Sequence, residues 1–463
     1  MAIIAVISVL VVATLNVIPR YVGSHIESAI CSLFDGEDCK SPKAAPPGPP
    51  PASQCVVASD ISDETESHRI LGVGSESSSS RQVDRQGDGG ISVSTSDESG
   101  FGVRADVWIE GDLPGIVEMN VGIGGGLLWT NSDQDKFTFT DDDQMNRFYG
   151  RVERESYELL DEGGFEALDE LGDVPFEVAE DMGIPYTHID ASGPSAFAEV
   201  SGELAPDTGT PVGRVYDGVL EGEHSRLIGT SESVDADGRM TTGEYYSITN
   251  ELSGALNTGV TLSVDGRVVE GTVAGTAGPN LSTSQSNIVH IEYDEDGNPE
   301  RINSTTTTQF HTGVQGTIAV GVDVDSVNPT GQVTGGAEYE HTEYVQNGDV
   351  TVTSTTLEIP PDMRDRFRDT SPQDWSGQDF DFTELQESAD ISSTIQRYDS
   401  HIDGDEDGFS LPIGVGVPGL EVGGTPVDWG STTETNQMGL EAASYRDPVT
   451  GEWRDWVTCR ERD

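Results

Sequence analysis

The sequence predicts a mainly β protein: a large antiparallel β-meander sheet or barrel-like body with a helical insert, preceded by an N-terminal membrane helix. Three observations predict it. Apolar and small or polar residues alternate over long tracts, Asp-Gly and Asn-Gly pairs recur between those tracts, and 55 glycines in 463 residues suit tight turns and close strand approach. Hydrophobic residues make up 34%, low for a globular chain, but the glycines restore part of the apolar count and leave a core within reach.

The first element is the uncharged run Ala2–Ile18, ended by Pro19 and Arg20. It lies at the short limit of a spanning helix, which needs about 20 residues. A signal peptide competes, but no basic segment precedes the run and the small-residue site near Ala13 is poor. Val22, Ile26, Ile30 and Leu33 continue a helical stripe, so residues 1–39 read as a transmembrane or pilin-like helix with a cysteine-flanked turn. A long acidic body that follows such a helix is expected outside the cell, membrane-held or secreted.

Three of the four cysteines come next. Cys31 and Cys39 flank a short loop turning at Asp35-Gly36, Cys55 opens the body, and Cys459 lies near the chain end. Four cysteines in an exported chain can pair in three ways. Cys55 with Cys459 would fasten the first and last strands, and the spacing of a structural zinc site is absent. Free thiols are the other reading. Between the cysteines, residues 40–54 form a proline-rich spacer that should be extended and semi-rigid.

Residues 55–463 read as the body. Ser78 to Gly90 is polar and predicts a loop. Val103, Ala105, Val107 and Ile109 then share one face of a strand, with Arg104, Asp106 and Trp108 on the other, and MNVGIGGGLLWT and DKFTFT read as a strand pair. The glycines from Gly122 to Gly126 fit close strand packing better than a dinucleotide loop. Thr140 followed by Asp141–Asp143 suits a helix start, and Met145, Phe148, Val152, Leu159 and Leu160 fall near one face. With a second short helix at GFEALDEL, this gives an insert over about residues 140–185. From Arg214 onward, hairpins are expected to turn at Asp237-Gly238, Asp265-Gly266, Asp296-Gly297, Asn328-Pro329 and Asn347-Gly348. The longest strand signal runs from Phe310 to Val324, a length that belongs to large twisted sheets or barrels. An outer-membrane barrel is disfavoured at this level, because Asp residues sit near strand ends, no paired aromatic girdles are visible and an apolar helix comes first.

The charge excludes one class of partner. Asp and Glu number 83 against 24 Lys and Arg, a net −59, and Lys40, Lys43 and Lys136 are the lysines. Without a basic stripe to displace counterions, nucleic acid is excluded as a partner, and the acidity points to a halophilic or salt-screened setting. The eight histidines show no ligand spacing and no GxSxG elbow occurs, so no catalytic role and no cofactor are expected. One metal motif stands out: Asp403, Asp405 and Asp407, with Gly408, match the first half of a calcium loop, although Gly414 occupies the place of the closing acid. Glycosylation sequons occur at Asn280 and Asn303.

The segment AIC.LF...DC (Ala29–Cys39), the proline spacer, Cys55, FTFTDDDQMNRF and the closing WVTC together resemble a group of uncharacterised exported proteins of actinobacteria, with a pilin-like or TadE-like N-terminal helix and a β-rich body. The glutamate that precedes pilin-type apolar runs is absent. The resemblance implies a surface or secreted location and supplies no activity. A membrane-anchored or secreted acidic surface protein follows, held through its N-terminal helix, with a structural or interaction role and a surface protein or polymer as partner. An extracellular polymer-acting enzyme, or the scaffold of a polymorphic-toxin-like protein, is the alternative.

Overall fold

The computed structural model describes residues 49–460 apart from 71–72, 114–116, 164–170, 206–211, 266–268, 295, 329–330, 362–363, 365–389, 418–419 and 448–451. The expected N-terminal helix, Cys31, Cys39 and most of the spacer lie outside the described residues.

Four strands come first: β1 (Val56–Ile70), β2 (Val73–Gln86), β3 (Ile91–Leu113) and β4 (Val117–Phe139). Two helices follow, α1 (Asp142–Gly163) and α2 (Val174–Met182). Eight more strands complete the wall: β5 (Tyr186–Ala205), β6 (Val212–Val234), β7 (Met240–Asp265), β8 (Val269–Tyr293), β9 (Pro299–Asn328), β10 (Gly331–Glu358), β11 (Asp390–Val417) and β12 (Leu420–Arg446). A short β13 (Trp453–Asp455) and α3 (Val457–Arg460) end the described chain.

Each strand pairs antiparallel with its neighbour in sequence, and β12 returns to pair with β1 from Ala58↔Gly439 to Ile70↔Val427. The meander is therefore a closed barrel of twelve strands, which leaves no long sheet edge unpaired. The hairpin β1–β2 is shorter than the rest. Past its end, Leu420–Gly423 of β12 pairs directly with Trp108–Gly111 of β3, so the wall continues there with ten strands.

The barrel has two unlike ends. Six hairpins turn at the tip end, while the chain ends, both longer helices and the remaining connections gather at the base. At the base, Asp235 and Asp294 accept hydrogen bonds from the backbone amides of their own turns, and Gly238 and Gly297 take the positive φ those turns demand. Helix α1 begins behind Asp141, whose Oδ1 accepts the Gln144 amide at 2.7 Å. Its Phe148, with Val174, Val178 and Ala179 of α2, covers Ile91, Val93, Phe137 and Phe139 on the outer wall. Cys55 and Cys459 form a disulfide with Cα atoms 5.5 Å apart, beside the buried Trp456.

Two local expectations change. The polar run from Ser78 continues as strand to Gln86, because a wall wetted on both sides needs no apolar face and its serines simply alternate between outside and lumen. Asn347-Gly348 is not a turn but mid-strand in β10, for a reason given below. The segment expected as a second helix falls largely on 164–170, outside the described residues, and α2 lies after it.

Candidate membrane band and acidic lumen

Side-chain alternation assigns one set of positions on each strand to the outer wall and the next set to the lumen. Toward the tips the outer set is apolar and exposed. On β3 and β4 the register pairs Phe101 with Trp129, Val103 with Leu127 and Val107 with Ile123. On β9 the exposed outer residues include Phe310, Val314 (64% exposed), Ile318, Val320 and Val322, and Val320 pairs with Val273 of β8 and Tyr339 of β10. The twelve steps from Phe310 to Val322 measure about 40 Å at the rise of a strand, or roughly 30 Å along the barrel axis at a tilt of about 40°. That is about the thickness of a bilayer's hydrocarbon core.

Aromatic residues mark where the apolar outer set gives way on the base side at the closing seam and on β3–β4, whereas on β9 the set runs on to Phe310, ten residues nearer the base than Val320, the register partner of Tyr339. Tyr339, Phe409, Trp429 and His68 are successive register partners across the closing seam, and Phe101 with Trp129 stands further round. Below them the outer wall turns polar at once, with Ser99 and Asp97 under Phe101 and Asn131 and Asp133 under Trp129. The expectation that paired aromatics are absent is thus corrected: the partners lie 20 or more residues apart in sequence and meet only through strand register, and closure of β12 on β1 adds His68 to the row.

The lumen inverts this pattern. Glu221, Glu223, Glu251, Glu338, Glu340 and Glu406 point inward and are nevertheless exposed, which requires a wet interior at their level. They face one another across the barrel: Glu221 is in electrostatic range of Glu199 and Glu406, Glu251 of Glu223 and Glu434, and Glu340 of Glu406 and Asp217. Two guanidinium groups share the layer. Arg104 pairs with Glu199 and lies 4.9 Å over the Phe197 ring, and Arg69 pairs with Asp428 at 3.0 Å. The local field is therefore strongly negative, which favours cations and repels anions.

Toward the base the inward side chains of β8–β12 are buried and hydrogen-bonded to one another along the wall. Thr317 and Thr342 meet at 2.9 Å, Ser282 donates to Gln346 at 2.9 Å, and His311 Nε2 lies 2.8 Å from Ser400 Oγ, which donates to Asn436 at 2.7 Å. His311, Ser400, Gln346 and Asn436 are all buried. His311 and Ser400 sit two strands apart, each the register partner of Gly348. A Cβ at Gly348 would stand 2.7 Å from the imidazole and 1.9 Å from the Phe310 carbonyl oxygen. Glycine is therefore required mid-strand, which explains why Asn347-Gly348 imitates a turn signal. Tyr344 crosses Gly404 in the same way to donate to Glu434 at 2.8 Å.

The residues singled out in the sequence fall elsewhere. Asp403, Asp405 and Asp407 lie mid-strand in β11 on the outer face, next-but-one neighbours that an extended chain holds about 7 Å apart. They do not converge as a calcium loop: Asp407 accepts from Tyr339 at 2.6 Å and from His341, while Asp403 lies 3.4 Å from His401. Asn280 of the first sequon is buried in the lumen wall, out of reach of a glycan. Sequence reading missed the lumen carboxylates because acids are everywhere in this chain; the usable signal was Glu at inward positions opposite apolar outward ones.

On the outer wall below Trp129, Asp133, Asp135 and His188 bring three ligand atoms together. His188 Nδ1 is 2.8 Å from Asp135. Burial pushes the imidazole down, but the Asp135 hydrogen bond and the charges of Asp133, Asp135 and Asp190 outweigh it and hold it above its ordinary value.

No family model and no curated protein matches the chain. Among solved structures, it is similar to the transport unit of the autotransporter AIDA-I from Escherichia coli, at 9% identity and TM-score 0.25, over 89% of this chain and 97% of that one. It is similar also to the outer membrane protease OmpT from Escherichia coli (8%, TM-score 0.28, 84% and 97%) and to the toluene transporter TodX of Pseudomonas putida (9%, TM-score 0.25, 83% and 89%). The barrel stands on its strand pairing, and these likenesses add nothing to it.

Proposed function

We propose that the chain spans a membrane through the apolar, tip-side half of its barrel and admits cations into an acidic lumen that is closed toward the base by a polar floor. One observation carries this reading: on the same strands and at the same level, exposed apolar residues face out while exposed carboxylates face in, the reverse of a water-soluble fold. Membrane contact is assigned to the barrel. The expected N-terminal helix lies outside the described residues, and among those described no helix is long and apolar enough to cross a membrane.

In this arrangement the tips cross the bilayer, and the acidic base stands in solvent on the side of the chain ends. The exported location implied by the resemblance to actinobacterial proteins fits such a placement. The role proposed is permeation and binding, without catalysis.

The test is a planar bilayer holding the purified chain under a KCl gradient. The reading expects a reversal potential on the cation side, moved toward zero by replacing Glu221, Glu251 and Glu406 with Gln together. Anion selectivity, or failure to insert from detergent, would overturn it.

A further inference from the structure

We infer that the outer wall carries a site for a first-row divalent metal ion, of which Zn2+ fits best, ligated by His341, Glu343 and Asp405. The site lies outside the lumen and does not depend on what the lumen conducts.

His341 and Glu343 are next-but-one neighbours on the outer face of β10, and the register sets Asp407 and Asp405 of β11 directly opposite them. Partners so placed hold their Cβ atoms about 4.5–5.5 Å apart across the strands. One ligand atom from each of His341, Glu343 and Asp405 lies within 4.8 Å of the other two. His341 is half-buried, while Glu343 and Asp405 are exposed, so ions in solution reach the group directly.

The imidazole is already turned for a metal. His341 Nδ1 lies 2.9 Å from Asp407 Oδ1, and the same oxygen accepts the Tyr339 hydroxyl at 2.6 Å. A carboxylate can only accept, so the proton of the neutral ring sits on Nδ1 and the lone pair on Nε2. Nε2 lies 3.7 Å from Glu343 Oε1. That is too long for a hydrogen bond, whereas two ligands bonded to one tetrahedral zinc at about 2.0–2.2 Å stand roughly 3.4 Å apart. A carboxylate behind the ring is the outer-shell partner that orients a metal-bound histidine and raises its basicity. Asp407 is thus a positioning residue, itself held by Tyr339.

Charge and donor type choose the ion. Glu343 has His341 as its ion-pair partner, and no Lys or Arg among the described residues pairs with Glu343, Asp405 or Asp407. Acids left without a basic partner favour a bound cation. The imidazole nitrogen selects a first-row metal over Ca2+ and Mg2+, which prefer oxygen throughout. Three protein ligands leave the fourth tetrahedral position to water. Asp403 stands two residues further along β11, beside His401 at 3.4 Å, and does not belong to the set.

The experiment is calorimetric titration of the full chain in detergent micelles with ZnCl2, in 1 M NaCl and excess MgCl2, which screen and occupy the general acidic surface. One saturable Zn2+ per chain is expected for the wild type, Asp403→Asn and His188→Gln. His341→Gln and Asp405→Asn, each with an unchanged circular dichroism spectrum, are expected to lose at least tenfold in affinity. Asp407→Ala is expected to lose about tenfold, as removal of an outer-shell partner does, and Asp407→Asn, which can still accept from Nδ1, to lose less. Displacement of Zn2+ by MgCl2, a loss in Asp403→Asn equal to that in Asp405→Asn, or wild-type affinity in both His341→Gln and Asp405→Asn would overturn the assignment.

Discussion

Phe101 and Trp129 stand directly opposite one another across β3 and β4 on the outer wall, 65% and 56% exposed. Two large aromatics paired in full view of solvent are costly in water and favourable at a membrane interface, where their rings sit among headgroups. Their place at the line where the wall turns from apolar to acidic makes them the rim of a band.

Ile123, three outward positions further toward the tip than Trp129 and exposed, tests the band itself. Ile123→Arg is expected to cost about 2–4 kcal/mol for folding into phosphatidylcholine vesicles, as a lipid-facing charge does near the midplane. Glu64→Arg, on the acidic outer wall, is expected to change stability by less than about 0.5 kcal/mol. Equal urea midpoints for the two variants in vesicles would contradict the assignment.

Gly348 tests the floor. Gly348→Val must displace His311 from Ser400 and is expected to lower stability by about 2 kcal/mol, within the range for overpacked interiors. His311→Ala leaves the wall intact and removes a crossing side chain, so larger single-channel conductance is expected. Unfolding curves check the first expectation and planar-bilayer current the second; a Gly348→Val protein as stable as wild type would remove the floor argument.

Two groups outside the membrane band give stability opposite pH dependences. The Asn298 amide, with further hydrogen bonds from Arg364, the Asn298 side chain and the Asp296 amide, outweighs burial and holds Asp294 at about 2. A depressed carboxylate contributes fully above its unfolded value near 3.9 and loses that contribution as pH falls toward 2. The gap between wild type and Asp294→Asn should therefore shrink in that window. His188 is raised, so its contribution is complete below about 6.5 and is lost as pH rises through its folded value. His188→Gln should accordingly cost more at pH 5 than at pH 9. Melting temperatures across pH check both signs.

Cys55 and Cys459 join residues 404 apart. Reduction is expected to remove about 2–5 kcal/mol and to expose Trp456, which is fully buried beside the bridge. An unchanged melting temperature in dithiothreitol would show the bridge to be dispensable.

Much of the wall was legible in the sequence. The alternation at Val103, Ala105 and Val107, and the long run from Phe310, predict extended strands directly, and Asp237-Gly238 and Asp296-Gly297 predict turns that form. What alternation does not carry is which face looks inward. Arg104 reads as a surface residue until closure by β12 places it in the lumen beside Phe197. Ser78 and Ser80 read as loop because strand signals assume at least one apolar face. Gly348 reads as a turn because its role, clearing a path for His311, depends on a strand that is remote in sequence.

The most direct measurement is tryptophan quenching in vesicles, read as the difference between wild type and Trp129→Phe. A membrane-spanning band predicts that the Trp129 signal is quenched by lipids brominated near the headgroup end of the acyl chain and is shielded from aqueous acrylamide. A Trp129 signal that acrylamide quenches freely, with brominated lipid without effect, would contradict it.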